Sequence, residues 1–278
     1  MDKTLTLVLG PTAVGKTDYA IELAKEYGSP VISCDSRQIF KEMRIGTAPP
    51  SEEQLREVRH YFIFSHSVSN HYSAGQYELD AMALLSDLFT SHDRLVMVGG
   101  SGLYADAVCY GFDDFPPADQ ELRKRLTERA MTEGVGVLAE ELRKLDPESY
   151  AVIDLSNRQR VVRALEVTLS TGRKFSSFKT APKKKRFFNV ERRVLTMPRE
   201  ELYARIDRRT EMMFEAGLVA EVRSLERFRN MPALKTVGYS EVFDYLDGTI
   251  SLDEAVDLVK RNTRRYAKRQ ITWFNKYL

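Results

Sequence analysis

Along residues 1–100, the spacing of apolar positions alternates between short buried strands and amphipathic helices. Leu5 to Leu9 is a continuous apolar run rich in β-formers, as expected of a strand covered on both faces. Beyond it, Ala20, Leu23, Ala24 and Tyr27 fall on one helical face, and Gly28 stands where such a helix would end. Val31 to Cys34 reads as a second buried strand that stops at Asp35. Gly46, Pro49 and Pro50 mark a loop, Ser51 to Arg59 reads as helix, and H-Y-F-I-F at residues 60–64 reads as strand. Y-S-A-G-Q-Y then opens a helix carrying Leu79, Met82, Ala83, Leu85 and Leu88. Leu95 to Val98 is a further buried strand, followed by G-G-S-G-L-Y. Strands and helices in alternation with short connections predict an α/β fold with a parallel sheet flanked by helices.

From about Phe115 the pattern changes. Pro116 and Pro117 precede helical periodicities with no strand signal until about Val190. Asp119 to Met131 places Leu122, Leu126 and Ala130 together, and Val137 to Leu145 is stopped by Asp146-Pro147. Asn157 is suited to cap a helix that reaches Thr171, with Gly172 at C′. Residues 194–197 then read as a return to the sheet, and Glu200 onward as helices closing the core. The expected organisation is an α/β core from residues 1–114 and 190–278, interrupted by a helical insertion at 115–189.

Composition adds little to the fold and something to the partner. The 278 residues are 43% hydrophobic and 29% charged, ordinary for a soluble globular chain. No apolar run approaches the ~20 residues that span a bilayer, and the N-terminus lacks a signal-peptide pattern. A cytoplasmic, non-membrane protein is the expectation. Cys34 and Cys109, the two cysteines, have no metal-like spacing and are expected as reduced thiols. The net charge of +2 is unevenly spread, because residues 158–209 carry 16 basic against 5 acidic groups. Charge concentrated in this way suits a polyanionic partner, although solvated helix faces produce the same pattern.

The chemistry starts at residues 10–17. Gly10, Pro11, Thr12, Ala13, Val14, Gly15, Lys16 and Thr17 fill every fixed position of G-x-x-x-x-G-K-[ST]. A strand precedes them and a helix follows, so the backbone N–H groups form a concave anion site at a helix start. Lys16 brings a mobile cation to the phosphate oxygens, and Thr17 a hydroxyl ligand for Mg2+. The motif does not say whether the phosphates belong to a nucleotide. Asp35, just past the carboxyl end of a strand, lands beside that loop in a doubly wound sheet. On the helix after Asn157, Val161, Val162, Leu165 and Leu169 cluster on one side, and Gln159, Arg160 and Arg163 on the other. Two arginines and an amide suit phosphate oxygens and base edges; an exposed helix face accounts for them equally.

Taken in order, G-P-T-A-V-G-K-T, D-S-R-Q, I-G-T-A, H-Y, Y-S-A-G-Q-Y, G-G-S-G-L-Y, N-R-Q-R-V-V-R-A-L-E-V, R-I-D-R-R-T-E-M-M-F-E-A-G-L-V-A-E-V, V-G-Y-S-E and T-R-R-Y-A-K-R-Q-I-T-W-F resemble the bacterial tRNA dimethylallyltransferases, or tRNA isopentenyltransferases. The likeness runs nearly from end to end. It implies a core like that of P-loop kinases, with an inserted helical domain that grips the anticodon stem. It also implies transfer of a dimethylallyl group from dimethylallyl diphosphate to the exocyclic N6 amine of the adenosine 3′ of the anticodon.

By the same resemblance Asp35 is the general base and Arg209 a diphosphate contact, with Lys16, Thr17 and Mg2+ stabilising the leaving group. Asp35, Ser36, Arg37, Gln38 and Ser101 would line the place of the base. Arg123 and the stretch Gln159, Arg160, Val161, Val162 and Arg163 would hold the RNA. The chain itself is expected to be a monomer without an obligate protein partner. Lys183 to Arg186 is a basic run that suits either phosphate contacts or a solvated loop, and Phe187 and Phe188 read as core or hinge. Several positions depart from the family pattern, among them H-Y-F-I-F, which lacks the acid of the usual H-Y-L-I-D. Ser101 replaces Thr, while Arg44 and Pro49 replace an acidic residue and a lysine.

Three other activities fit parts of the sequence. A small-molecule kinase would use ATP on the same loop, but no Asp ends the Leu95–Val98 strand where its acid is expected. An adenylate isopentenyltransferase would have little use for the basic segment. An RNA-binding nucleotide switch would leave no product on the RNA.

Overall fold

A computed structural model describes residues 2–113, 115–179 and 184–278, which divide into two compact units, residues 2–109 with 186–278 and residues 110–185. In chain order, the first unit opens with β1 (Thr4–Leu9), α1 (Lys16–Tyr27), β2 (Val31–Ser33), α2 (Glu52–Glu57), β3 (His60–Tyr61), α3 (Ala74–Leu88), β4 (Arg94–Val98) and α4 (Gly102–Tyr110). The second unit contributes α5 (Gln120–Thr132), α6 (Val135–Leu145), α7 (Pro147–Val152) and α8 (Arg158–Thr171). The chain then returns through β5 (Asn189–Val194), α9 (Arg199–Glu215), α10 (Leu218–Ser224), α11 (Tyr239–Leu246) and α12 (Leu252–Phe274). No described helix is long and apolar enough to cross a membrane.

The described strands form one parallel sheet in the order β3-β2-β4-β1-β5. Because β4 lies between β1 and β2, the loops leaving these three strands converge at one carboxyl edge, where open α/β sheets bind ligands. The central strands are buried, with Leu5, Leu7, Leu9, Ile32, Leu95 and Met97 fully covered. Capping follows the sequence closely. Ser51 with Gln54 and Ser251 with Glu254 form capping boxes, and Ser73 accepts the Gln76 N–H.

Two strand expectations shift. The run at residues 60–64 is a strand only at His60–Tyr61, because Phe62 and Phe64 take positive φ of 60° and 51° and turn the chain out of the sheet. The return to the sheet occurs at Asn189–Val194, ahead of the expected 194–197. This edge strand pairs with β1 alone and carries three consecutive charged residues, Glu191 to Arg193, between two valines, a composition that discourages further pairing.

The second unit is built on α8, against which α5 and α6 both pack. Covering from two sides buries Val161, Val162, Ala164, Leu165, Glu166 and Val167. The expected RNA contacts at Val161 and Val162 are therefore corrected. Val161 is fully buried and Val162 is 4% exposed, both in the unit's apolar core. Leu169, expected on the same apolar side, is 41% exposed beyond the end of that packing. An unforeseen helix, α7, begins where Asp146-Pro147 ends α6. Asp146 accepts the Ser149 N–H, and proline fits the first helical turn.

The basic run at 183–186 also divides. Lys183 lies outside the described residues. Arg186, expected either to contact phosphate or to sit on a solvated loop, instead packs its side chain against Glu78 at 2.8 Å and donates to the carbonyls of Ala107 and Val108. Phe188 is buried and stacks on Phe89, whereas Phe187 is half exposed.

Candidate active site

The G-P-T-A-V-G-K-T loop adopts the backbone its sequence demands. Gly10 has φ 145°, and a Cβ there would lie 2.6 Å from the Leu195 carbonyl oxygen. Ala13 and Gly15 also take positive φ, 67° and 98°, so successive N–H groups turn toward a common centre at the start of α1. The Lys16 ammonium lies against the loop and donates to the Pro11 carbonyl at 2.7 Å.

Residues from the far end of the chain complete this loop. On α12, Gln270 accepts the Thr12 N–H at 2.8 Å through Oε1 and donates to the Gly100 carbonyl at 2.8 Å through Nε2. On α9, Arg209 donates from Nη2 to the Thr12 hydroxyl at 2.6 Å. Burial pushes the Lys16 ammonium down to about 8 and Arg209 down to about 10, while Asp35 pulls both the other way. Two cations held so deeply are costly to keep charged without an anion, which favours binding of a phosphate group.

A cavity of about 480 Å³ opens over the loop, lined among others by Lys16, Thr17, Asp35, Gln38, Arg209 and Gln270. A second, of about 170 Å³, shares Thr12, Asp35, Thr47, Arg209 and Tyr266 with the first. Asp35 thus faces both. Its Oδ1 accepts the N–H groups of Arg37 and Gln38 at 2.8 and 3.1 Å, a turn that fixes the carboxylate at the end of β2. Gln38 donates through Nε2 to the carbonyls of Thr47 and Ala48.

The expected site residues fall into two sets. Thr12, Ala13, Gly15, Lys16 and Thr17 of the loop meet Asp35 to Gln38 and Arg209 at the cavities, while the Val14 side chain packs into an apolar cluster with Leu202, Ile206 and Ala267. Ser101, at the foot of α4, lies between Gly100 on the cavity wall and Gly102, whose missing side chain makes room for Trp273. The second set belongs to the other unit. There Gln159 and Arg160 are exposed. Arg123 and Arg163 instead pair at 2.7 Å with Glu166, whose side chain is fully buried. A groove beside them is lined by Asn157, Gln159, Arg160, Arg163, Phe175 and Lys179.

Sequence reasoning missed several residues lining the first cavity: Arg205, Arg208, His60, Tyr266 and Gln270. A signal was present for two of them. Thr263, Tyr266 and Gln270 recur at helical spacing inside T-R-R-Y-A-K-R-Q, so one face of α12 carries polar groups where an apolar stripe is expected. Burial and the neighbouring Asp35 raise the Tyr266 phenol well above its ordinary range, so it stays protonated.

Comparison with known proteins points one way. The model of the family described as IPP transferase matches residues 38–277. The tRNA dimethylallyltransferase of Cytophaga hutchinsonii is 50% identical over 276 residues, covering 99% of this chain and 91% of the relative. The tRNA dimethylallyltransferase 1 of Bacteroides thetaiotaomicron is 45% identical over 273 residues, covering 98% and 89%. Among solved structures, the full-length tRNA isopentenylpyrophosphate transferase of Bacillus halodurans aligns with a TM-score of 0.71 at 38% identity, over 99% of this chain and 87% of that one. A eukaryotic dimethylallyltransferase acting on tRNA aligns with a TM-score of 0.83 at 25% identity, over 98% and 70%.

Proposed function

This chain belongs to the IPP transferase family, and from that premise we propose that it moves a dimethylallyl group from dimethylallyl diphosphate to the N6 amine of the adenosine 3′ of the anticodon in tRNA. One observation carries the reading. A cationic phosphate loop and a carboxylate held by backbone N–H groups line the same cavity.

The chemistry needs both. An adenine amine is a weak nucleophile because its lone pair is delocalised into the ring. As N6 bonds to the allylic carbon, the bond from that carbon to the diphosphate oxygen breaks, and a proton must leave N6. Asp35 accepts that proton. Negative charge growing on the departing diphosphate meets the loop N–H groups, Lys16 and Arg209. The loop that cradles nucleotide phosphates in kinases thus holds an isoprenoid diphosphate, with ATP neither substrate nor energy source.

Mg2+ fits the residues present. Among the described residues no cluster of His, Cys, Asp and Glu could hold a metal by itself, but Mg2+ characteristically takes one or two protein oxygens and completes its shell from phosphates and water. Thr17 would supply that oxygen, and the ion would add charge neutralisation at the diphosphate.

The adenine must turn out of the anticodon-loop stack to reach Asp35, at a cost of a few kcal/mol. Ser36, Arg37, Gln38 and Ser101 would receive it and its neighbours, while Arg160, Gln159 and Arg123 with Arg163 would bind the RNA. The test is mass spectrometry of an anticodon stem-loop with consecutive adenosines, incubated with protein, Mg2+ and dimethylallyl diphosphate. One C5 unit gained on the adenosine 3′ of the anticodon supports the proposal. No gain, with γ-phosphate turnover of ATP in parallel, would turn the reading to a kinase or switch. A gain on free AMP alone would make it a nucleotide-modifying enzyme.

A further inference from the structure

The stretch G-L-V-A-E-V, residues 217–222, carries one carboxylate, Glu221. Glu221, on α10, does not point into either cavity. It accepts the backbone N–H groups of Arg44 and Ile45 through Oε2, both at 2.8 Å, and that of Gly46 through Oε1 at 3.1 Å. Tyr239, at the start of α11, donates its hydroxyl to the same Oε1 at 2.6 Å. Each oxygen therefore serves two donors. Charge-assisted bonds of this kind are about twice as strong as neutral ones, and three consecutive N–H groups on one carboxylate immobilise that segment of backbone.

The segment is also packed against Glu221's own surroundings. A Cβ on Gly46 would lie 2.5 Å from the Tyr239 ring and 2.9 Å from Leu218. The next residues, Thr47 and Ala48, line the larger cavity, and Thr47 lines the smaller one too. Ala48 is held at φ 45° and its N–H returns to the Ile45 carbonyl at 3.1 Å. The carbonyls of Thr47 and Ala48 take the Gln38 carboxamide at 3.2 and 2.9 Å, and the Gln38 N–H reaches Asp35 Oδ1 at 3.1 Å. A continuous chain of bonds thus runs from α10 to the end of β2.

We infer that Glu221 is a positioning residue for the transfer: it fixes residues 44–48, which seat Gln38, which in turn holds the Asp35 carboxylate at the reacting amine. The inference rests on the reading of Asp35 as proton acceptor. It assigns Glu221 a task that neither phosphate binding nor RNA binding requires.

Glu221→Gln is the decisive variant. The two side chains have the same shape, but whichever way the amide is turned, its NH2 faces two donors that the carboxylate had satisfied. Single-turnover transfer should slow by about tenfold to a hundredfold, the scale of a small misplacement of a catalytic group. The KM for dimethylallyl diphosphate should stay within about threefold, because the loss lies in the transition state. Hydrogen exchange at the amides of Arg44, Ile45 and Gly46 should quicken. In a cycle with Gln38→Ala, the two losses should be strongly non-additive, since both break one chain. Tyr239→Phe keeps the loop bonds and the ring against Gly46, so its transfer rate should remain within about twofold of wild type.

A folded Glu221→Gln enzyme with wild-type transfer, or additive losses in the cycle, would overturn the inference. A Tyr239→Phe enzyme as slow as Glu221→Gln would do so too, by tracing the effect to general loosening of α10 and α11. A wild-type protein that makes no prenylated RNA would instead defeat the transfer reading, and the exchange at residues 44–46 would still decide whether Glu221 holds the loop.

Discussion

Gln270 accepts the Thr12 N–H at 2.8 Å across 258 residues of sequence. The same carboxamide satisfies the Gly100 carbonyl, so one buried side chain on α12 ties the loop after β1 to the loop after β4. Gln270→Leu would leave a donor and an acceptor without partners, each at about 1–3 kcal/mol. Denaturant unfolding should show a loss of about 2 kcal/mol or more, with weaker diphosphate binding by calorimetry. An unchanged midpoint would remove Gln270 from the support of the loop.

Asp35→Asn tests the proposed proton acceptor. The amide keeps an oxygen for the Arg37 and Gln38 N–H groups but cannot take the N6 proton. Transfer should fall by about 10²–10⁴-fold, the usual contribution of a positioned base. Diphosphate affinity should hold within about threefold, because the loop contacts are untouched. Turnover near that of wild type would exclude Asp35 from proton transfer.

Lys16 gives the site a pH dependence. Burial places the free-enzyme ammonium at about 8, so its charge is present below that pH and is lost as pH rises through it. A bound diphosphate favours the charged form and raises the pKa, so binding takes up a proton. The dissociation constant for inorganic diphosphate should therefore rise above pH 8, by up to about tenfold per pH unit. Lys16→Met should abolish this dependence along with most of the affinity; a flat profile in the wild type would contradict the assignment.

The arginines of the helical unit should behave differently from one another. Arg160 is exposed in the first turn of α8, so Arg160→Ala should weaken tRNA binding and reduce the slope of log affinity against log salt by about 1, with no change in melting. Arg163 balances the buried Glu166, so Arg163→Ala should destabilise the unit as well, by up to about 3–5 kcal/mol. Arg123, also on Glu166, softens that loss. Thermal melts run beside filter binding separate the two effects.

Much of this was legible in the sequence because it is encoded by neighbouring residues. Positive φ at Gly15, the strand before the loop and the helix after it are properties of one contiguous stretch. Asp35 follows a run of β-formers, so its place at the end of a buried strand needs no knowledge of the rest. Periodicity likewise separates the α/β core from the helical stretch, since a 3.6-residue repeat and a short apolar run differ over about ten residues.

Tertiary structure decided what depends on the partner. Val161 and Val162 lie in a motif that resembles an RNA grip, yet α5 and α6 cover α8 from two sides and take both valines into the core. Arg186 belongs to a basic run by sequence and to a buried pair with Glu78 by packing. Arg209 and Gln270 reach Thr12 across 197 and 258 residues, and Glu221 reaches Gly46 across 175. Local conformational preference is written in adjacent residues. Which buried donor meets which acceptor follows from the fold as a whole, because burying these polar groups is tolerable only where the completed packing brings their partners to them.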